Sequence, residues 1–403
     1  DPRFLSFPSW SVELSGIDIE AVRAQIPALD KSIYMNTGGT GPVPTFVANE
    51  IAETYRRMSE LGPDLPEIRG PIKAELERAR QVSADLFNVS TDEIAMMRAI
   101  SEGMSTVAWG LDWSPGDEVI VTSEEHPTGM LVWLNLAERR GITVKRLDIA
   151  TDKSELLFRL SGLITDRTRL LSMSHVTTDT GTRLPAKEIC ELAHAREVPV
   201  LLDGAQSVGQ FPIDLGDIDC DFYASTGHKW VLGGWGTSIF YIRQEWISKL
   251  NVSWSGAGAG TWDRDTDELV LDETAHRFEF GGRHDPLYGA MAKGIEFVGD
   301  VGLANVEARS LHLTDRIKAA LAEIPGASLR SPEPRDFSTG IVTFSVDGLS
   351  GADLNRRMFD RWRILGRPSL NDTAMRLSCA FFNSDQEVAT VIGAVSVLAN
   401  ENG

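Results

Sequence analysis

The 403 residues include 58 acidic and 39 basic side chains, for a net charge of −19, with 42% hydrophobic and 24% charged residues. That balance belongs to an ordinary globular chain of two or three domains, and its acidity argues against partners such as nucleic acid or anionic membrane. Three cysteines, Cys190, Cys220 and Cys379, show neither zinc nor disulfide spacing and suit a reducing cytoplasm. The opening DPRFLSFPSWSVEL carries acids and no long apolar core, which excludes a signal peptide or a membrane span within it.

In chain order, residues 45–88 carry charges at helical spacing, and their tail IKAELERARQVSADLFNV reads as an amphipathic helix. Then short apolar runs alternate with longer amphipathic stretches. The runs 117–123, 143–149, 169–176, 198–205 and 236–243 read as strands. Residues 129–141, 156–164 and 184–197 read as helices. Such alternation implies a mostly parallel sheet covered on both faces. The Gly- and Asp-rich stretch 254–275 reads as an irregular excursion, a candidate flap over a site. A long helical pattern from 287 leads to a terminal α+β unit, with strands at 338–346 and 374–382 and a closing helix from near Ser384.

Four motifs bear on chemistry. In STGHKW (225–230), Ser225, Thr226 and His228 offer donors to a phosphate beside Lys229, whose amine a desolvated site can activate; alone, Lys229 could equally be a surface lysine after a turn. In LLDGAQSVG (201–209), Asp203 ends an apolar strand, where open α/β sheets bind ligands, and a buried carboxylate there needs a cation; the alternative is a helix cap. In AISEGMS (99–105), Ser101 and Glu102 stand at a helix start able to bind phosphate or simply to cap itself. His126, in SEEHPTGM, follows a strand and could stack on a flat ring or be structural. Each signal is modest, and their order along one chain is what carries weight.

With these motifs, and with YMNTGGTGPVP (34–44), WGLDWSPGDEVIVTSEEHPTG (109–129), RLLSMSHVTTDTGTRLP (169–185) and RFEFGG (277–282), the chain resembles the class V aminotransferase family of fold-type I pyridoxal phosphate (PLP) enzymes. Its pattern is nearest the cysteine desulfurase-like branch and the L-cysteine/cystine C–S lyases. The resemblance implies an α/β fold: a large domain with a mostly parallel, seven-stranded-type sheet between helices, and a smaller C-terminal α+β domain. The expected division is an N-terminal segment (1–30) packing with the small domain, a cofactor-binding domain (31–285) and the small domain (286–403). It also implies a homodimer.

By the same resemblance, Lys229 carries PLP as a Schiff base and acts as the base at Cα. Asp203 pairs with the pyridinium, Gln206 meets the phenolic oxygen, and His126 stacks on the ring. Ser101, Glu102, Thr226 and His228 hold the phosphate. Arg376 binds the substrate α-carboxylate, a role suited to a planar guanidinium, with Arg367 as a second arginine and Gly38 and Gly39 lining the substrate side. The phosphate contact from a neighbouring subunit falls on Gly282, with Arg283 beside it as a replacement, and a ring-side polar residue falls on Thr178 or Asp179.

One departure bears on the reaction. Cysteine desulfurases carry a nucleophilic cysteine just before the carboxylate-binding arginine, whereas LGRPSLNDTAMR (365–376) has none. The expectation is therefore β-elimination on cysteine, cystine or a cysteine S-conjugate, giving a sulfur product, pyruvate and ammonia. Transamination, epimerisation and decarboxylating deamination of a modified amino acid are the rivals, and no metal is expected.

Overall fold

The computed structural model describes residues 17–402. The first sixteen residues of the expected N-terminal segment therefore lie outside the described residues. The central sheet runs in the order Ile94–Met97, Ser238–Ile242, Phe222–Ala224, Val200–Asp203, Thr168–Ser174, Glu118–Thr122, Thr143–Leu147. Only Ser238–Ile242 is antiparallel to its neighbours. Alternate side chains feed two cores. Ile120, Leu171, Met173, Leu202 and Tyr223 face one layer, and Val119, Val121, Leu170, Leu201 and Phe222 face the other. Burial on both faces explains why these strands read as continuous apolar runs.

From Glu118–Thr122 the chain steps to one side as Thr143–Leu147, then returns to the other side as Thr168–Ser174. The loops after Glu118–Thr122 and Thr168–Ser174 therefore diverge, and the crevice beyond the strand ends is where such sheets bind ligands.

The stretch read as one helical region at 45–88 is two helices, Thr45–Leu61 and Pro66–Phe87, separated at Gly62, whose φ of +97° ends the first. Likewise the pattern from 287 divides into Pro286–Val301 and Leu303–Glu323 at Gly302, φ +85°. The stretch 254–275, read as irregular, contains an antiparallel hairpin, Gly260–Asp263 with Glu268–Leu271. Asp263 Oδ1 closes its turn by accepting from the amides of Asp265 and Thr266.

The terminal unit is a four-stranded sheet in the order Ala327–Leu329, Ile341–Val346, Ala374–Ser378, Arg367–Ser369. The closing helix Asp385–Asn402 starts with a reciprocal cap: Ser384 Oγ accepts from the Glu387 amide, and Glu387 Oε2 from the Ser384 amide. In the described part of the N-terminal segment, Arg23 pairs with Glu387 and donates to the Phe382 carbonyl. Among the described residues no helix is long and apolar enough to cross a membrane.

Candidate active site

A cavity of about 820 Å³ opens at the carboxyl ends of the central strands. Asp203, Lys229, His126, Gln206, Thr226, His228, Ser101, Arg367 and Gly39 all line it.

At the sheet end, Asp203 closes its strand; Oδ1 accepts from the Ala205 amide (2.8 Å), and burial raises its pKa. Lys229 follows the next strand in a Gly-rich turn. Burial pulls its amine down to about 8; Asp203 opposes this, while Arg376 and Arg367 add to it. The turn is locked by Gly41, which donates to the His228 carbonyl and leaves no room for a Cβ against the Lys229 carbonyl.

His126 caps the helix Pro127–Arg140. Its Nδ1 accepts from the Thr128 amide (3.2 Å), so the proton of the neutral ring sits on Nε2. Burial, then Lys229, holds that ring neutral, with its pKa lowered to about 4. At the opposite end, Ile100–Gly110 begins after Ala99, which offers no side-chain cap. Exposed helix-start N–H groups of this kind attract anions. Glu102 does not use its carboxylate there; it grips Arg98 with both oxygens, and its own amide donates to the Ala99 carbonyl. Thr226 Oγ1 and His228 Nδ1 are 2.6 Å apart, and burial lowers His228 to about 4.

On the remaining wall, Arg367 and Arg376 are register partners on neighbouring strands. Arg367 is exposed to the cavity. Arg376 lies just behind, 1% exposed, donating from Nη1 to the Thr178 carbonyl (2.6 Å), while its Nε and Nη2 have no partner among the described residues. Burial, then Arg367, lowers its pKa to about 9. A buried guanidinium with two unpaired nitrogens calls for a carboxylate. Gly38 packs beneath it: a Cβ there would lie 3.3 Å from Arg376 Nη2 and 2.8 Å from Gln206 Oε1.

Three placements add detail to the expected set. Gln206 is already engaged: Nε2 donates to the Gly38 carbonyl (2.8 Å) and Thr178 Oγ1 (3.2 Å), and Oε1 accepts from Trp230. Gly282 is exposed and outside the cavity of its own chain, and Arg283 is tied to Glu279. Thr178 lines the cavity, whereas Asp179 turns away to accept from Ser369 Oγ (2.6 Å). The sequence reading also missed Arg98, Ser174 and Trp235. Trp235, 63% exposed, stacks on His228 at 3.9 Å between ring centres. An aromatic between two positive-φ glycines, Gly234 and Gly236, was the available signal for Trp235.

Chemically, the cavity offers an anion site, a buried carboxylate suited to a cation, a nucleophilic amine between them and a carboxylate-binding wall.

Comparison with known proteins matches residues 33–366 to the family model "Aminotransferase class-V". The isopenicillin N epimerase of Streptomyces clavuligerus is 27% identical over 95% of this chain and 99% of its own length. A cysteine desulfurase of Synechococcus elongatus is 29% identical over 94% of this chain and 63% of its own length. The solved complex of the cystine C–S lyase C-DES with cysteine persulfide superposes with a TM-score of 0.86 at 27% identity, covering 92% of this chain and 99% of that one. The chain belongs to the aminotransferase class-V family and is a PLP-dependent enzyme.

Proposed function

We propose that this enzyme cleaves the Cβ–S bond of a cysteine-type amino acid by β-elimination. The observation that carries this reading is a base and an open carboxylate anchor in one cavity with no thiol beside them. Lys229 and Arg367 line the cavity and Arg376 backs it, while Cys190, Cys220 and Cys379 are all fully buried. Burial also pushes each thiol's pKa upward, against thiolate chemistry.

The residues present fit PLP. Asp203 would face the ring nitrogen and Lys229 would hold the aldehyde carbon. His126 would cover the ring, and Gln206 would reach the phenolic oxygen by exchanging one of its present partners. The Ser101 amide, Thr226 and His228 would receive the phosphate, and the Glu102 amide would join them by exchanging the Ala99 carbonyl. When bound, PLP supplies an electron sink for negative charge developing at Cα.

Arg376 binds the substrate carboxylate through Nε and Nη2, with Arg367 beside it, and Gly38 and Gly39 keep the approach open. Lys229 Nζ takes the Cα proton as its amine becomes free. The β-sulfur substituent leaves with its bonding pair as thiol, sulfide or persulfide. With one water consumed, the remaining carbon skeleton ends as pyruvate and ammonia. A homodimer belongs to this reading by the family resemblance.

Epimerisation is the second reading, favoured by the full-length likeness to isopenicillin N epimerase. One experiment separates them. The PLP-loaded enzyme is incubated with cysteine, cystine and a cysteine S-conjugate, following pyruvate, released sulfur and the configuration at Cα. Pyruvate that disappears in Lys229→Ala supports elimination. No pyruvate from any of the three sinks it, and inversion without pyruvate favours the second reading.

A further inference from the structure

Glu125 has no role in the reaction outlined above, yet its surroundings are unusual. Its carboxylate accepts from Thr122 Oγ1 (2.6 Å), the Ser174 amide (2.9 Å) and Ser174 Oγ (2.7 Å). It thereby ties the end of Glu118–Thr122 to the end of Thr168–Ser174, and Ser174 is the register partner of Asp203. Gly129 lies between the two carboxylates. A Cβ there would stand 2.9 Å from Glu125 Oε2 and 3.8 Å from Asp203 Oδ2. Both acids therefore converge on the side-chain space that Gly129 leaves empty in the first turn of Pro127–Arg140.

Burial raises Glu125 to about 7, and the charge of Asp203 pushes it the same way. Titratable groups around the pair include His126 on the same turn, held neutral, Lys229 beyond Asp203, and Tyr223 on the neighbouring strand, whose phenol burial holds protonated. Three strong donors favour a charged Glu125, while burial and a neighbouring acid oppose it. A cation set against Asp203 resolves that conflict by favouring the ionised form of both.

We propose that Glu125 is a second carboxylate behind Asp203 that raises the basicity of the cofactor's ring nitrogen. It touches neither cofactor nor substrate; it is a positioning residue, acting through Ser174 and through its field on Asp203. The inference goes beyond the proposed reaction and rests only on Asp203 facing the ring nitrogen.

The test uses apoprotein and two ligands that form no bond with Lys229: pyridoxamine 5′-phosphate, and its analogue with CH in place of the ring nitrogen. Dissociation constants are measured by fluorescence titration at pH 8. Glu125→Gln is expected to weaken pyridoxamine phosphate ~10-fold, the equivalent of one pK unit, and the CH analogue by less than about twofold. Thr122→Val keeps the carboxyl but removes a donor that favours its ionised form. It is expected to show the selective loss at pH 7 and recover at pH 9, and it serves as the test where the Gln variant does not fold. Equal weakening of both ligands, or no weakening, overturns the proposal. In Asp203→Asn the same selective loss is expected. Its absence there removes the premise that Asp203 faces the ring nitrogen, a failure distinct from that of Glu125 and independent of which reaction the enzyme performs.

Discussion

Replacing Arg376 by Met is expected to stabilise the apoprotein while abolishing its grip on a substrate carboxylate. The guanidinium is 1% exposed, with one carbonyl partner at 2.6 Å and a marginal second contact to Thr178 Oγ1 at 3.5 Å. Burial holds its pKa down at about 9. A cation whose folded pKa lies below its unfolded value is a net cost at every pH below the folded value. The cost fades as pH climbs from about 9 towards the ordinary guanidinium range. At pH 7 it is present in full, ~5 kcal/mol at about 1.4 kcal/mol per tenfold. Against it stands the charged hydrogen bond to Thr178, worth roughly 1.5–3 kcal/mol. Met is a similar length without donors, so the net expectation is a gain of ~2–3 kcal/mol, read as a higher urea midpoint at pH 7. On the functional side, losing a two-pronged carboxylate contact costs about 3 kcal/mol, or ~100-fold in affinity for an amino acid added to the PLP-loaded protein. Lysine at the same place keeps the charge without the fork and is expected to recover little. A Met variant that unfolds earlier than the parent and still binds the amino acid as tightly would refute both halves of the reasoning.

Two further outcomes follow from the site. Since Lys229 is held down at about 8 and reacts as the neutral amine, the rate at which apoprotein captures PLP should rise through about pH 8; Arg367→Ala removes one of the depressing cations and should move that limb upward by less than ~1 pH unit, so an unmoved or lowered limb contradicts the assigned electrostatics. Gly41→Ala would drive a methyl into the Lys229 carbonyl, displacing the lysine turn; PLP retention after dialysis should fall several-fold, and full retention would show that the turn tolerates the shift.

What was legible in the sequence follows from where the information is stored. The strands ending at Thr122, Ser174 and Asp203 announced themselves because a strand buried on both faces must be apolar throughout. Ile94–Met97 did not: four residues rich in Met, its ladder is antiparallel to Ser238–Ile242, which lies far along the chain. The two helical patterns read as continuous because periodicity persists across Gly62 and Gly302, and only the positive φ reveals the break. Lys229, Asp203 and His126 could be singled out because each has a local signature at a strand end. Glu125 could not: its neighbour His126 drew the reading, while its own surroundings depend on Ser174 and Asp203, distant in sequence. The choice between Thr178 and Asp179 was undecidable for the same reason, since it turns on which side chain Ser369 captures from the other sheet.

That last contact belongs to a pattern which ties the two sheets together at the substrate wall. Residues 178–181 receive hydrogen bonds from five side chains of the terminal unit. Arg376 donates to the Thr178 carbonyl, and Thr343 and Ser369 both bond Asp179. Ser331 donates to the Thr180 carbonyl and Thr339 to that of Gly181. Thr178 in turn accepts from Gln206, which holds the Gly38 carbonyl. On the proposed reading, a carboxylate drawn into Arg376 would pull on a loop that also touches Gln206, so the substrate anchor and the cofactor floor would not relax independently. Rigidity of this kind would keep the proposed substrate's Cα within reach of Lys229 without a loop having to close first. It also explains how Arg376 can be a buried, half-paired cation: the hydrogen bonds around residues 178–181 hold in place a group that burial alone would expel.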